Sequence, residues 1–145
     1  MAHHGYAMSR ARARQLAQAA VSRGEPLAWF EELYSQADSA GLSSIPWADL
    51  EPNPSLVEWL QREQIEGQGM RALKVGCGLG DDAEELSRRG FDVLAFDISK
   101  SAVAMARRRF PQSSVSYEVA DLFHPPDWAG RFDLVLARFS HRVAR

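Results

Sequence analysis

The sequence predicts an α/β fold in three layers, with helices on both sides of a mostly parallel sheet, and three observations support this. Short apolar runs alternate with helical stretches over residues 71–137, the pattern of βαβ units. A glycine-rich turn, GCGLG (76–80), joins the first apolar run to the next helix. The chain has 145 residues, 46% hydrophobic and 25% charged, which suits one globular domain.

Residues 1–68 differ from the rest, because they contain helix formers and no strand-like run. We therefore predict an N-terminal helical cap (1–68) followed by a cofactor-binding half-domain (69–145). Within the cap, one helix is expected over 10–22 and a second from 27 to about 37, with an apolar stripe at three- and four-residue spacing.

A third cap helix is predicted to begin at Pro54, because proline is tolerated at the first helical position and Asn53 can cap it. We expect this helix to end near Gly67.

The half-domain divides into four strands and two helices. Strands are predicted over 72–75, 91–96, 115–120 and 132–137, and helices over 81–89 and 100–110. The first helix has acids in its first turn and arginines in its last, which suits the helix dipole. The basic run 107–109 in the second helix is interpreted as a solvated face.

Two aspartates follow strands on the side of the glycine turn. Asp97 ends the second strand, 21 residues after Gly76, and Asp121 ends the third. Ligands of open α/β sheets bind outside the carboxyl ends of the strands, where glycines let a ligand approach the backbone. Asp97 could accept both hydroxyls of a ribose and Asp121 an adenine amine. The alternatives are a packing turn for the glycines, a strand-end cap for Asp97 and a plain loop residue for Asp121.

The next two residues bear on which cofactor is bound. The dinucleotide fingerprint requires a third glycine where this chain has Asp81, followed by Asp82. Two carboxylates would repel a pyrophosphate, whereas S-adenosylmethionine carries a sulfonium and an ammonium group and has no phosphate. One of the two acids is also expected to cap the helix.

The motifs VGCGLG, FDVLAFDIS with SAVAMARRRF, VADLF and FDLVLA resemble, in order, those of class I S-adenosylmethionine-dependent methyltransferases. The resemblance implies a Rossmann-like sheet whose first four strands have the order 3-2-1-4, and methyl transfer from S-adenosylmethionine. It implies a cofactor site formed by the glycine turn and both strand ends: Gly76, Cys77, Gly78, Gly80, Asp97, Ile98, Asp121 and Leu122. Of these, Cys77 is expected to be a packing residue and not a nucleophile. We name no catalytic residue, because the cofactor carries the electrophile.

The upstream segment IPWADLEPNPSLVEWL resembles that of thiopurine methyltransferase-like enzymes, despite Ala48 and Glu51 at two motif positions. The resemblance implies that Trp47 is a lid over the cofactor and that the acceptor is a small molecule, such as a thiol or another soft nucleophile. A buried packing role is the alternative for Trp47. Lys74 stands where many class I enzymes have an acid, which departs from the family pattern.

After the fourth predicted strand, eight residues remain, RFSHRVAR (138–145). A crossover to another parallel strand takes a dozen or more, so we expect a truncated methyltransferase with strands one to four. The fourth strand would then be an exposed edge and a site of self-association, and methyl transfer would be weak. The alternatives are a cofactor-binding module without turnover and an NAD- or nucleotide-sugar-binding domain.

Composition narrows the partners further. A net charge of −2 gives no reason to expect nucleic acid or a membrane as a partner. Cys77 is the only cysteine, so an internal disulfide and a cysteine-based zinc site are excluded, and the histidines lack metal-ligand spacing. These features favour a cytoplasmic protein without a metal.

Overall fold

The computed structural model describes residues 2–127 and 131–137. Five helices precede or separate four strands in these ranges, and a short 3-10 helix (Leu42–Ser44) follows the second helix. The elements are α1 (Ala2–Ser22), α2 (Ala28–Ala40), α3 (Pro54–Arg62), β1 (Arg71–Val75), α4 (Asp81–Arg88), β2 (Asp92–Asp97), α5 (Lys100–Arg109), β3 (Ser116–Val119) and β4 (Leu134–Ala137). Residues 138–145, on which the expectation of truncation rests, lie outside the described residues.

The four strands form one parallel sheet in the order β3-β2-β1-β4. β1 is central, with Ala72 opposite Val93 of β2 on one side and Leu134 of β4 on the other. The predicted α/β fold and its strand order are therefore confirmed. The order places the glycine turn after β1 next to the end of β2, where a ligand of this fold class is expected.

The core follows from the two-residue period of the strands. On one face, Ala72 and Val93 pack with the apolar sides of α3, α4 and α5, where Leu60, Leu86 and Val103 are fully buried. Each such side chain contributes about 1.5–3 kcal/mol through its burial. On the other face, a second cluster consists of Leu73, Leu94 and Phe96, with Val75, Ala120 and Phe132 at its margin.

The start of α3 was predicted correctly and its end was not. The Asn53 side chain accepts hydrogen bonds from the backbone N–H groups of Ser55 (2.7 Å) and Leu56 (3.2 Å), as expected of a cap. The helix ends at Arg62, because Gln64 takes a left-handed backbone with φ 51°. Gly67 lies beyond the helix, at a place where a Cβ added to it would be 2.3 Å from the Phe91 backbone nitrogen.

The N-terminal helices share a core with the sheet unit. α1 packs on α2, and Tyr34 and Ala37 of α2 contact Leu79 of the glycine turn and Ala102 and Met105 of α5. Within residues 2–127 and 131–137, no helix has the length and apolar character needed to cross a bilayer.

Candidate cofactor site

The glycine turn is built from backbone conformations that favour glycine. Gly76, Gly78 and Gly80 have φ values of 64°, 51° and 96°, all in the region that L side chains rarely adopt. A Cβ on Gly80 would lie 2.5 Å from the Tyr117 hydroxyl, whereas a Cβ on Gly76 would meet no atom within 4 Å. Packing therefore requires glycine at 80, while Gly76 borders open space that a ligand could use.

Cys77 lies buried inside this turn. Its backbone N–H donates to the Phe96 carbonyl at 2.8 Å, which joins the turn to β2. Burial, with the nearby Asp97 carboxylate, raises the pKa of the Cys77 thiol far above its usual range. The thiol is therefore protonated at neutral pH and is a poor nucleophile.

Asp97 links the end of β2 to the glycine turn and is 7% exposed. Its Oδ2 accepts a hydrogen bond from the Gly78 N–H at 2.9 Å, and its Oδ1 accepts one from the Ser99 N–H at 3.0 Å. Burial raises the pKa of the carboxyl, and the two N–H groups and the charge of the buried Lys74 partly offset this rise. Each oxygen has a second acceptor position, so the carboxylate can hold the turn and still accept hydroxyls.

Asp121 lies close to Asp97, because the Ala120 N–H donates to the Asp97 carbonyl at 3.0 Å. Its Oδ1 accepts from the Phe123 N–H at 2.9 Å, and its Oδ2 lies 3.2 Å from His124 Nδ1. The hydrogen bond from the Phe123 N–H lowers the pKa of the Asp121 carboxyl most, and the hydrogen bond with His124 lowers it further. The three-residue spacing between Asp121 and His124 was the signal available in the sequence, where the histidines were considered only as metal ligands.

The two apolar residues predicted to contact adenine follow these acids. Ile98 is half-buried behind Asp97, whereas Leu122 is 52% exposed. Their adenine contacts stay a prediction.

Trp47 reaches the glycine turn through Tyr34. The Trp47 Nε1–H donates to the Tyr34 hydroxyl at 2.8 Å, and that hydroxyl would lie 3.1 Å from a Cβ on Gly78. Trp29 and Phe30 surround the indole, with ring centroids at 5.9 and 6.3 Å. The indole thus packs in an aromatic cluster next to the turn, which is compatible with both the lid and the packing interpretation.

Two expectations about charge need correction. Gly80, not Asp81 or Asp82, is the N-cap residue of α4, because its positive φ makes the turn into the helix.

Arg109 belongs to the run interpreted as a solvated face, yet it forms a bidentate pair with Asp81 (2.7 and 3.0 Å) and donates to the Leu79 carbonyl. Arg109 therefore offsets part of the negative charge that was expected to oppose a phosphate.

The lid interpretation gives a fluorescence prediction. In a variant whose Trp29, Trp59 and Trp128 are replaced by phenylalanine, we expect Trp47 emission to change when S-adenosylhomocysteine binds, because a ligand on the turn would alter the indole's surroundings. A matched variant that keeps only Trp59, which packs beside the core formed by α3, should show no change. An unchanged Trp47 signal with binding confirmed by calorimetry would contradict a lid.

Comparison with protein families decides the class. A family model described as a methyltransferase domain matches residues 72–145, just over half of the chain. This chain belongs to the methyltransferase domain family. The match includes the glycine turn, Asp97 and Asp121, so every residue of the candidate site except Trp47 lies in the family segment.

Curated relatives of this chain are named as O-methyltransferases. This chain is 42% identical over 72 residues to magnesium-protoporphyrin O-methyltransferase of Rhodobacter capsulatus, a match covering 48% of this chain and 31% of that one. It is 34% identical over 88 residues to a ubiquinone biosynthesis O-methyltransferase of Bordetella avium, covering 57% and 36%. The matched segments thus span about a third of these relatives' length.

Solved structures agree with the fold. A protein from work on the conversion of a disulfide bond into a thioacetal group during echinomycin biosynthesis shares 32% identity with a TM-score of 0.56, covering 63% of this chain and 38% of that one. Phosphoethanolamine N-methyltransferase 2 of Haemonchus contortus, in complex with S-adenosyl-L-methionine, shares 28% with a TM-score of 0.51, covering 57% and 20%.

Proposed function

We propose that this protein binds S-adenosylmethionine at the carboxyl edge of its sheet and transfers the methyl group to a small-molecule acceptor. The observation that carries the proposal is the buried Asp97 carboxylate. Its Oδ2 accepts a hydrogen bond from the glycine turn and its Oδ1 accepts one from Ser99, so each oxygen keeps a second acceptor position for a ribose hydroxyl. The family match over the same residues supports it.

The residues present fit the cofactor. The open space before Gly76 would admit the methionine part, and Asp97 would take the ribose hydroxyls. Ile98 and Leu122 would flank the adenine, with Asp121 at its amine, and Trp47 would cover the site. Bound S-adenosylmethionine supplies an electrophilic methyl group, so the task of these side chains is to bind and orient the cofactor.

The acceptor class is narrowed by the relatives. Two of them are named as O-methyltransferases, the echinomycin protein is named for chemistry at sulfur, and the Haemonchus contortus protein is named as an N-methyltransferase. We propose an oxygen, sulfur or nitrogen nucleophile on a small organic molecule, and we favour oxygen, because the curated relatives share it. The thiol expected from the upstream segment is one member of this class. The cytoplasmic location of the protein stays a prediction.

Calorimetry with S-adenosylhomocysteine and with NAD tests cofactor choice. We expect S-adenosylhomocysteine to bind and NAD not to bind, because the chain lacks the third glycine of the dinucleotide fingerprint. The opposite result would reject the proposal. Methyl transfer from labelled S-adenosylmethionine to a panel of phenols, carboxylic acids and thiols then tests turnover. Cofactor binding without transfer to any member would favour a binding module, and multiple turnovers would contradict the expected weak activity.

We also propose self-association through β4. Within residues 2–127 and 131–137, β4 lies at one edge of the sheet, and its Val135 side chain is 57% exposed. Val135→Lys should lower the sedimentation coefficient at high concentration, because charge on an edge strand opposes pairing. Val21→Lys on α1, at a similarly exposed position (63%), is the matched control. A native chain that sediments as a monomer would contradict the proposal.

A further inference from the structure

Glu31 of α2 places its carboxylate at the first turn of α5. Its Oε1 accepts hydrogen bonds from the Ser101 backbone N–H (2.9 Å) and hydroxyl (2.6 Å), and its Oε2 accepts one from the Ser99 hydroxyl (3.1 Å). Ser99 is fully buried, and its Oγ in turn accepts from the Ala102 N–H. Glu31 thus binds the segment that follows Asp97, from an element about 70 residues away in sequence.

This contact continues to the cofactor residues through hydrogen bonds. The Ser99 N–H donates to Asp97 Oδ1, and Asp97 Oδ2 accepts from the Gly78 N–H. A single residue, Ser99, therefore stands between Glu31 and the carboxylate assigned to the ribose. The same helix approaches the glycine turn a second time, because the Tyr34 hydroxyl lies beside Gly78.

We infer that Glu31 is a positioning residue for the cofactor: it fixes the Ser99–Ser101 segment and so holds Asp97 in the orientation that accepts the ribose hydroxyls. The inference rests on the proposed function, since it assumes that the cofactor ribose binds at Asp97. The physical reason is that a carboxylate with both oxygens bound to backbone N–H groups keeps its orientation only while those groups stay fixed. Without Glu31, the Ser101 N–H and both serine hydroxyls lose their charged acceptor, and the first turn of α5 loosens.

Ligand binding to Glu31→Ala tests this role. We expect S-adenosylhomocysteine to bind about tenfold more weakly, because a less well oriented Asp97 would lose the equivalent of one hydrogen bond to the ribose. The matched control is Glu32→Ala, which removes the next carboxylate of α2. Glu32 pairs with Arg23 at 2.6 Å on the surface, so its removal should leave affinity unchanged.

A comparison of two nucleosides separates positioning from general stabilisation. The native protein should bind adenosine more tightly than 2′,3′-dideoxyadenosine, which lacks both hydroxyls for Asp97. In Glu31→Ala this preference should shrink, whereas a residue that merely stabilised the fold would weaken both nucleosides equally. Glu31→Gln keeps one acceptor oxygen and should recover part of the preference.

Amide hydrogen exchange tests the inference without any ligand. Exchange at the Gly78 N–H should be faster in Glu31→Ala than in Glu32→Ala, because Asp97 then holds that N–H less firmly. If the native protein fails to bind S-adenosylhomocysteine, the proposed function is wrong. The exchange rate at the Gly78 N–H still tests whether Glu31 holds Asp97 in place. An unchanged nucleoside preference or unchanged exchange at Gly78 would overturn the inference. Should Glu31→Ala be unfolded by circular dichroism, Ser101→Ala, which removes one hydroxyl from the same contact, replaces it in each comparison.

Discussion

Asp97→Ala should weaken S-adenosylhomocysteine binding by at least about a hundredfold, because two hydrogen bonds to a charged group are lost at about 1.5–3 kcal/mol each. The change also frees the Gly78 N–H that Asp97 holds at 2.9 Å, so the turn should lose its orientation as well. Titration calorimetry measures the affinity, and circular dichroism confirms that the variant is folded.

The matched control for this change is Asp92→Ala, at the opposite end of β2. Its carboxylate is exposed and lies 3.8 Å from Arg71, and such surface pairs contribute little. A folded Asp97→Ala protein whose affinity stays close to that of Asp92→Ala would remove Asp97 from the site.

The pH dependence of binding follows from the same carboxyl. Burial raises the pKa of Asp97, so it gains a proton at a higher pH than an ordinary aspartate. Because the protonated form loses charge and an acceptor position, affinity should fall as pH drops through this raised pKa. Calorimetry from pH 8 downward checks the sign, and an affinity that rose on acidification would contradict it.

Gly80→Ala should have the largest effect on stability. Its φ of 96° is unfavourable for alanine, and the added Cβ would lie 2.5 Å from the Tyr117 hydroxyl. That hydroxyl donates to the buried Glu84 carboxylate at 2.8 Å, so the ring cannot move without breaking the bond. Backbone strain of about 1–3 kcal/mol and overpacking of about 1–3 kcal/mol together give a loss of roughly 2–6 kcal/mol in the free energy of unfolding. Urea denaturation measures this loss.

Gly76→Ala is the comparison that separates packing from ligand access. It has a similar backbone requirement but open space around its Cβ, so we expect a loss of only about 1–2 kcal/mol in stability together with weaker cofactor binding. The double variant Gly80→Ala/Tyr117→Phe should lose less free energy of unfolding than the two single variants lose together, because the clashing hydroxyl is gone. Equal stability losses at Gly76 and Gly80 would show that the Tyr117 contact is unimportant.

Several features of this protein were fixed by local sequence. The alternation of apolar runs with helical stretches specified the parallel sheet, because strand and helix periods differ along the chain. The three glycines identified the turn, since their positions coincide with positive φ values. Asn53 was identifiable as a helix cap, because a cap bonds to backbone groups two or three residues away.

The tertiary structure decided which distant groups meet at the site. Glu31 binds Ser101 across 70 residues, and Arg109 pairs with Asp81 across 28. Nothing in the local pattern distinguishes Glu31 from Glu32 beside it, or Arg109 from Arg108 in the same basic run. Such pairings depend on how helices pack on the sheet, which is set by the whole core. Sequence periodicity specifies the face of a helix that is buried, whereas the contacts of a charged side chain at its edge are fixed only when the neighbouring element is in place.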